Sequence, residues 1–410
     1  IPRSVGVILV DATPGKASVT VNGELHGTLP RSVSNIEPGI ATVQIAKTGY
    51  TTWEKKLEIK PTQATDIRSV QLLPASFEKD ILAQQVSLFA ASPNNLLIAT
   101  VTPKNTLAVL DDTGLGILPN IPLSNKPTTL SWSPDSSHIL ITLPKNNYEL
   151  FRVQNTLLEK VPSKTLNGLT QIAWSNGATH TLYGIDKDNS LISYSIDTAT
   201  KKVVAKNINT YELSGRTMYY QTQKNALIAK QTRSGDEKIL IEDTQKAIKK
   251  IAVSNNNTLA LLYTDGELTL RKENGITVAV SGSAQHAFWS PDGKLLLVQT
   301  APTELSLFNV ENERLFAVPL GQLHPIMRLS QPILHPQWFS DSLHILYQTN
   351  NTIFFSEIDT RDHPITIPID TTKTAMPVTI GDQSKNIMYI KKEGVISSLQ
   401  KTWLLTEEDR

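Results

Sequence analysis

Trp289-Ser290-Pro291-Asp292-Gly293, followed at once by the apolar run Leu295–Val298, is the stretch that decides the fold. Pro presets φ for a turn, Asp can accept nearby backbone N–H groups, and Gly tolerates positive φ. The run after it has strand length. The same turn-then-strand pattern recurs along the chain. It reads Ser92-Pro93-Asn94-Asn95 before Leu96-Leu97-Ile98, then Trp132-Ser133-Pro134-Asp135 before Ile139-Leu140-Ile141. Trp174-Ser175-Asn176-Gly177 precedes Thr181-Leu182-Tyr183, and a weak copy places Leu213-Ser214-Gly215 before Met218-Tyr219-Tyr220. Further on, Ser254–Asn257 precedes Ala260-Leu261-Leu262, Trp338-Phe339-Ser340-Asp341 precedes Ile345-Leu346-Tyr347, and Gly381–Ser384 precedes Ile387-Met388-Tyr389. These are about eight copies, spaced by roughly 36–49 residues, near the repeat length of one propeller blade.

Each unit carries the rest of a blade. A third strand follows the apolar one, as in Tyr148–Val153, Leu191–Ile196, Leu305–Val310 and Ile353–Ile358. A short fourth strand follows that, for example Val203–Lys206 or Leu315–Pro319. No stretch has helical periodicity. Residues 75–410 are therefore expected to form an eight-bladed β-propeller, with seven blades as the alternative if a weak unit around Leu213 or Gly381 is not a repeat. Ser76–Leu82 and Lys401–Leu405 are the two candidates for the strand that closes the ring.

The Trp-Ser-Pro-Asp-Gly turn resembles the WD-like β-propeller repeats of the TolB periplasmic protein and of prolyl oligopeptidase-type propellers. The second and sixth units match best. The tryptophans Trp132, Trp174, Trp289 and Trp338 are read as packing between blades, with carbohydrate or peptide binding as the sharper alternative.

Residues 1–74 read differently. Val5–Asp11 is β-rich, Thr13–Lys16 is a turn, and Ala17–Asn22 alternates apolar and polar residues before the hairpin signal Asn22-Gly23. Thr42–Ala46, Trp53–Ile59 and Asp66–Leu73 complete a small antiparallel sandwich. The order Pro14-Gly15, Val19–Gly23, Gly27-Thr28-Leu29-Pro30, Pro38-Gly39, Gly49-Tyr50, Trp53 and Leu72-Leu73-Pro74 resembles the PEGA domain. The resemblance implies a β-sandwich spacer of surface or cell-envelope proteins, with no catalytic residues. Tyr50 and Trp53 are read as core and corner packing, with a sugar-stacking pair as the alternative.

Composition fits an all-β chain of this organisation. Of 410 residues, 39 are Lys or Arg and 38 Asp or Glu, so the net charge is +1 and no nucleic-acid footprint is present. With no Cys there is no disulfide, thiolate metal site or Cys nucleophile. No apolar run approaches membrane-span length. The chain starts at Ile1, which is read as a mature form or excised piece whose upstream signal or anchor is removed.

The sequence holds no H-E-x-x-H, G-x-S-x-G, P-loop or G-x-G-x-x-G motif. No catalytic residue, cofactor or metal site is expected. His138, His180 and His344 share one place in the repeat and are read as turn residues on separate blades. Asp111-Asp112 and Asp186-x-Asp188 are read as solvated turns. A one-sided pattern does stand out. The expected turns between second and third strands contain Lys104, Lys145, Lys187, Lys224 and Lys391-Lys392, in units that are contiguous if the ring closes. Polar hairpin chemistry accounts for them; a basic arc for an anionic glycan, a teichoic-type polymer or an acidic protein is the functional alternative. The long connection Gly321–Pro332, with His324 and Arg328, is a second candidate recognition element. The expected function is a non-enzymatic, extracytoplasmic envelope or surface protein. Its propeller would bind a protein or glycan on a PEGA-like spacer. A TolB-like periplasmic adaptor and a propeller enzyme with a channel site are the alternatives.

Overall fold

The computed structural model describes residues 5–154, 157–176, 180–311, 318–373, 376–381 and 384–410. They contain no α-helix. The N-terminal module is two sheets around one core. Gly6–Thr13 lies between Arg31–Ile36 and Ala64–Gln71, and Ser18–Val21 and Gly39–Ala46 lie between Glu24–Thr28 and Trp53–Ile59. The pairing of Gly6–Thr13 with Ala64–Gln71 is parallel, so the sandwich is mixed rather than antiparallel. Sequence reading also missed Glu24–Thr28 and Arg31–Ile36, which lie in turn-rich sequence around Gly27 and Pro30 and bury few side chains.

Beyond residue 78, eight four-stranded antiparallel sheets follow one another. Numbered one to eight, their innermost strands are Leu88–Ala91, Thr129–Trp132, Thr170–Trp174, Ile208–Ser214, Ile248–Val253, His286–Trp289, Leu334–Trp338 and Thr379–Ile380. The eighth sheet takes its outer strand from the other end of the propeller: Lys79–Gln84 pairs with Ile396–Trp403. Lys401 thus sits in the third strand, and the N-terminal candidate closes the ring.

Eight apolar clusters explain why the second strands are apolar throughout. Each cluster lies between two consecutive sheets, and the last joins Met388, Ile390 and Leu399 of sheet eight to Ile98 and Leu110 of sheet one. A sheet flanked on both sides needs apolar residues in both phases of its period-2 pattern. Leu295 and Leu297 pack towards sheet seven, and Leu296 and Val298 towards sheet five.

The recurring turn behaves as its chemistry requires. Ser92, Ser133 and Ser290 are buried, and their hydroxyls accept the backbone N–H groups of Leu97, His138 and Leu295. Asp135, Asp292 and Asp341 accept backbone N–H groups inside the same turns. One residue of each of these turns takes positive φ: Asn95, Ser136, Gly293 and Ser342. The four tryptophans tie neighbouring sheets together. Trp132 Nε1 donates to the Ala90 carbonyl at 2.9 Å, Trp174 Nε1 to Ser131 Oγ at 3.1 Å, Trp289 Nε1 to Ala252 at 3.1 Å and Trp338 Nε1 to Phe288 at 2.9 Å.

One expected strand needs correction. The fourth strand of sheet six is Leu323–Arg328 rather than Leu315–Pro319, of which 315–317 lie outside the described residues. In the weak units, Gly177 and positions 382 and 383 lie outside the described residues, while Ser214 and Thr217 flank a two-residue turn in sheet four.

Candidate binding face and channel

Antiparallel strands alternate direction, so second turns and sheet-to-sheet connections emerge on one face, and first and third turns on the other. Lys104, Lys145, Lys187 and Lys224 sit in the second turns of sheets one to four. All are exposed, and none has an ion-pair partner among the described residues. Each lies next to or near an Asn in the left-handed region, at Asn105, Asn146, Asn189 and Asn225, which lets the chain reverse tightly and leaves the lysine projecting. The connections on the same face add exposed Lys126, Lys164 and Lys206, which the repeat pattern did not flag.

The arc stops on either side of these sheets. Lys391 and Lys392 are not in a turn: they lie in the strand Asn386–Glu393, whose turn is Gly394-Val395. Lys391 is paired with Asp370 at 3.1 Å, so it is unavailable to a partner. On the other flank, Asp265 and Glu267 hold Lys246 at 2.6 and 2.5 Å, which makes sheet five locally acidic. His324 and Arg328 are likewise strand residues rather than loop residues. Arg328 pairs with Glu304 of the adjacent strand at 3.0 Å. Asp186 accepts the N–H groups of Asp188 and Ser190, and Asp111 those of Thr113 and Leu115, as turn carboxylates do.

Next to the arc lies the channel wall. The inner strands of sheets three, four, five and seven slip register near their starts, between Thr170/Ala173, Ile208/Thr210, Ile248/Lys250 and Leu334/Gln337. Such bulges re-aim side chains. In sheet five the bulge leaves both Lys249 and Lys250 exposed. They line a cavity of about 540 Å³ with Glu212, His286, Gln171 and Trp174. Burial pushes the Glu212 carboxyl up, against the pull of Lys250. Burial, Lys249 and Lys250 hold His286 below its ordinary value. A second cavity of about 590 Å³ shares Gln285 and His286 and continues over Phe288, Pro336 and Val378. One carboxylate among two ammonium groups favours an anion. It does not supply the carboxylate pair of a glycosidase.

On the opposite face, two of the three repeat-equivalent histidines meet. His138 and His180, on adjacent sheets, have ring centroids 4.6 Å apart, whereas His344 pairs separately with Asp341 at 2.6 Å and stacks on Phe355. His138 and His180 lie on separate sheets as expected, yet they touch. Positions one repeat apart are neighbours when consecutive sheets pack face to face.

The N-terminal module is docked on that face too. Lys55 is 0% exposed, and its Nζ lies 2.6 Å from Glu357 Oε1 and 2.7 Å from the Asp359 carbonyl. Trp53 Nε1 donates to Glu357 Oε2 at 3.1 Å, and Arg361 donates to the Asp66 carbonyl at 2.9 Å. At sheet eight, Tyr50 Oη donates to Asp409 at 2.9 Å, and Lys47 pairs with Asp409 at 2.5 Å. Tyr50 and Trp53 thus serve the junction between domains and are buried, which removes them as a sugar-stacking pair.

Residues 5–72 match the PEGA domain family model. No curated protein matches the chain. Among solved structures, the C-terminal WD40 domain of Sif2 is similar with a TM-score of 0.56 at 13% identity, over 78% of this chain and 97% of that one. The computationally designed Ika8 protein gives 0.55 at 12%, over 78% and 96%. Sqt1 of Saccharomyces cerevisiae gives 0.53 at 10%, over 79% and 97%. Residues 5–72 thus match a PEGA domain, and the rest of the chain has a β-propeller fold like that of these WD40 structures. No helix among the described residues is long and apolar enough to cross a membrane.

Proposed function

We propose that the chain is a non-enzymatic binding platform of the cell envelope or surface. The PEGA module acts as a docked spacer, and the propeller's second-turn face captures an acidic segment of a partner protein. The observation that carries this reading is the set of four exposed, unpaired lysines Lys104, Lys145, Lys187 and Lys224 in successive sheets. Lys126, Lys164 and Lys206 widen the set, and Lys249 and Lys250 extend it into the channel wall. Same-sign charge concentrated on one rigid surface raises encounter rates with an oppositely charged partner. The extracytoplasmic placement rests on the PEGA match.

The test uses poly-L-glutamate and dextran sulfate as probes. Wild type should bind poly-L-glutamate with an affinity that falls steeply as salt rises. The quadruple Lys104→Glu, Lys145→Glu, Lys187→Glu, Lys224→Glu variant should lose that binding while melting as wild type does. Equal binding by variant and wild type refutes the reading. Preference for dextran sulfate over poly-L-glutamate reassigns the ligand to an anionic glycan.

A further inference from the structure

We propose that Asp135, His138 and His180 form a binding site for one transition-metal dication of the zinc class, on the first-turn face between sheets two and three. One ligand atom from each lies within 4.8 Å of the others. The repeat builds the convergence. Asp135 and His138 lie three residues apart, at the end of the first turn of sheet two. His180 occupies the equivalent place on sheet three.

The three donors already surround a single point. Ser137 Oγ occupies it, 2.7 Å from Asp135 Oδ2, 2.7 Å from His138 Nδ1 and 3.3 Å from His180 Nε2. Zn–N and Zn–O bonds of about 2.0–2.2 Å put tetrahedral donors about 3.3 Å apart. His180 Nε2 and Asp135 Oδ2 stand 2.8 Å apart, so a cation needs the Ser137 hydroxyl to turn away and the donors to shift by less than an ångström. Arg152, whose Nε lies 3.4 Å from His138 Nε2, must release that nitrogen. It has Glu159 as an alternative partner at 3.5 Å. The side chains of Asp135 and His180 are 43% and 28% exposed, which leaves a fourth position to water.

A second layer is in place. His180 Nδ1 lies 2.9 Å from Asp197 Oδ1, in the third turn of sheet three. A carboxylate on the far nitrogen of a liganding imidazole fixes its tautomer and raises its basicity. Ser137, His180 and Asp197 also mimic a nucleophile–base–orienter row. Asp197 and Asp135 engage the two ring nitrogens of His180, so neither nitrogen is free to act as a base towards Ser137. A cation competes with protons for these ligand atoms, so its affinity falls as pH falls. Two imidazoles and a carboxylate suit zinc, nickel, cobalt or copper rather than magnesium or calcium.

The test is titration of the metal-stripped full chain with Zn²⁺ against a chromophoric chelator, with Co²⁺ absorption reporting geometry. Wild type should take up about one equivalent with a Kd near or below ~1 μM, and His180→Ala should weaken it by at least ~30-fold. Asp197→Asn, on a side chain 59% exposed, should keep the fold and weaken binding by about 10–100-fold. If His180→Ala does not fold, Asp197→Asn and His180→Gln decide. A Kd above ~100 μM in wild type, or equal affinity in folded variants, overturns the site.

Discussion

Lys55→Met removes the only charge that is fully buried against the propeller among the described residues of the N-terminal module, while keeping most of the length of the side chain. In wild type, Lys55 Nζ satisfies Glu357 Oε1 at 2.6 Å and the Asp359 carbonyl at 2.7 Å, with Asp359 Oδ2 at 3.7 Å. After substitution Glu357 keeps two neutral donors, Trp53 Nε1 at 3.1 Å and Ile365 N at 2.8 Å, and Asp359 keeps Arg361 at 2.7 Å. The Glu357 charge stays buried without a counter-charge. Breaking a buried pair from one side costs about 3–5 kcal/mol. That is a shift of about 10²–10⁴ in the equilibrium between docked and undocked modules. Both domains have their own apolar cores, so the loss falls on docking rather than on folding. Calorimetry should show the module melting earlier and apart from the propeller. Limited proteolysis should open the linker near residues 73–78, and small-angle scattering should show a larger radius. A double change, Lys55→Met with Glu357→Met, should recover much of the docking, because no buried charge is then left unpaired. A single unchanged transition in Lys55→Met refutes the account of the junction.

Two further perturbations test the propeller itself. Trp289→Phe removes the 3.1 Å bond to the Ala252 carbonyl while keeping most of the ring, and should cost about 0.5–1.5 kcal/mol in denaturant unfolding; no loss would mean the indole N–H does not tie sheets five and six. The pair His138 and His180, which faces Asp135, Asp197, Ser137, Trp174 and Arg152, should make stability depend on pH in opposite senses. The carboxylates Asp197 and Asp135 raise His180 above its ordinary 6.5, so its contribution is complete below that pH and is lost as pH rises through the raised value. Burial and the neighbouring His180 lower His138 to about 4, so protonation favours the unfolded chain and stability falls from pH 6.5 towards 4. Denaturant midpoints of His180→Gln should lose the alkaline slope relative to wild type, and those of His138→Gln the acidic one; parallel profiles would refute both assignments.

What the sequence disclosed and what it hid have physical reasons. Leu295–Val298 could be read because a strand packed on both sides must be apolar in both phases, and Ser290–Gly293 because a turn that satisfies its own backbone needs those side chains. The lysines of sheets one to four could be placed because the Asn beside or near each marks a tight reversal. Lys391-Lys392 were misplaced because the last hairpin has strands of eight residues each, longer than the second and third strands of most other sheets. Its true partner, Asp370, comes from sheet seven, where local pattern has no reach. His324 was read into a loop because the fourth strand of sheet six was expected at Leu315–Pro319, ahead of His324 and Pro325. That proline lies on an outer strand, where one missing N–H takes nothing from a ladder on the solvent side. Lys55 carries no sign of its role in the sequence. Period 2 puts it on the face of Trp53, Leu57 and Ile59, yet a lone charge reads as solvent-facing until a second domain supplies Glu357.

The junction also decides how the two faces can be used. The module covers the first-turn side at sheets seven and eight, through Glu357, Asp359 and Asp409. The lysine arc lies on the second-turn side at sheets one to four, and the histidine cluster on the first-turn side at sheets two and three. None of the three regions shares a residue with another. A ligand on the lysine arc therefore need not displace the module. A buried, charge-paired junction also fixes the arc's direction relative to the N-terminal module. A flexible tether would present that face in every orientation and dilute its effective concentration at an anchored partner. A buried ion pair adds little to stability over an apolar contact, but it penalises every misaligned docking in which one charge is left alone. Orientation of the propeller on the module is thus what the Lys55–Glu357 pair secures.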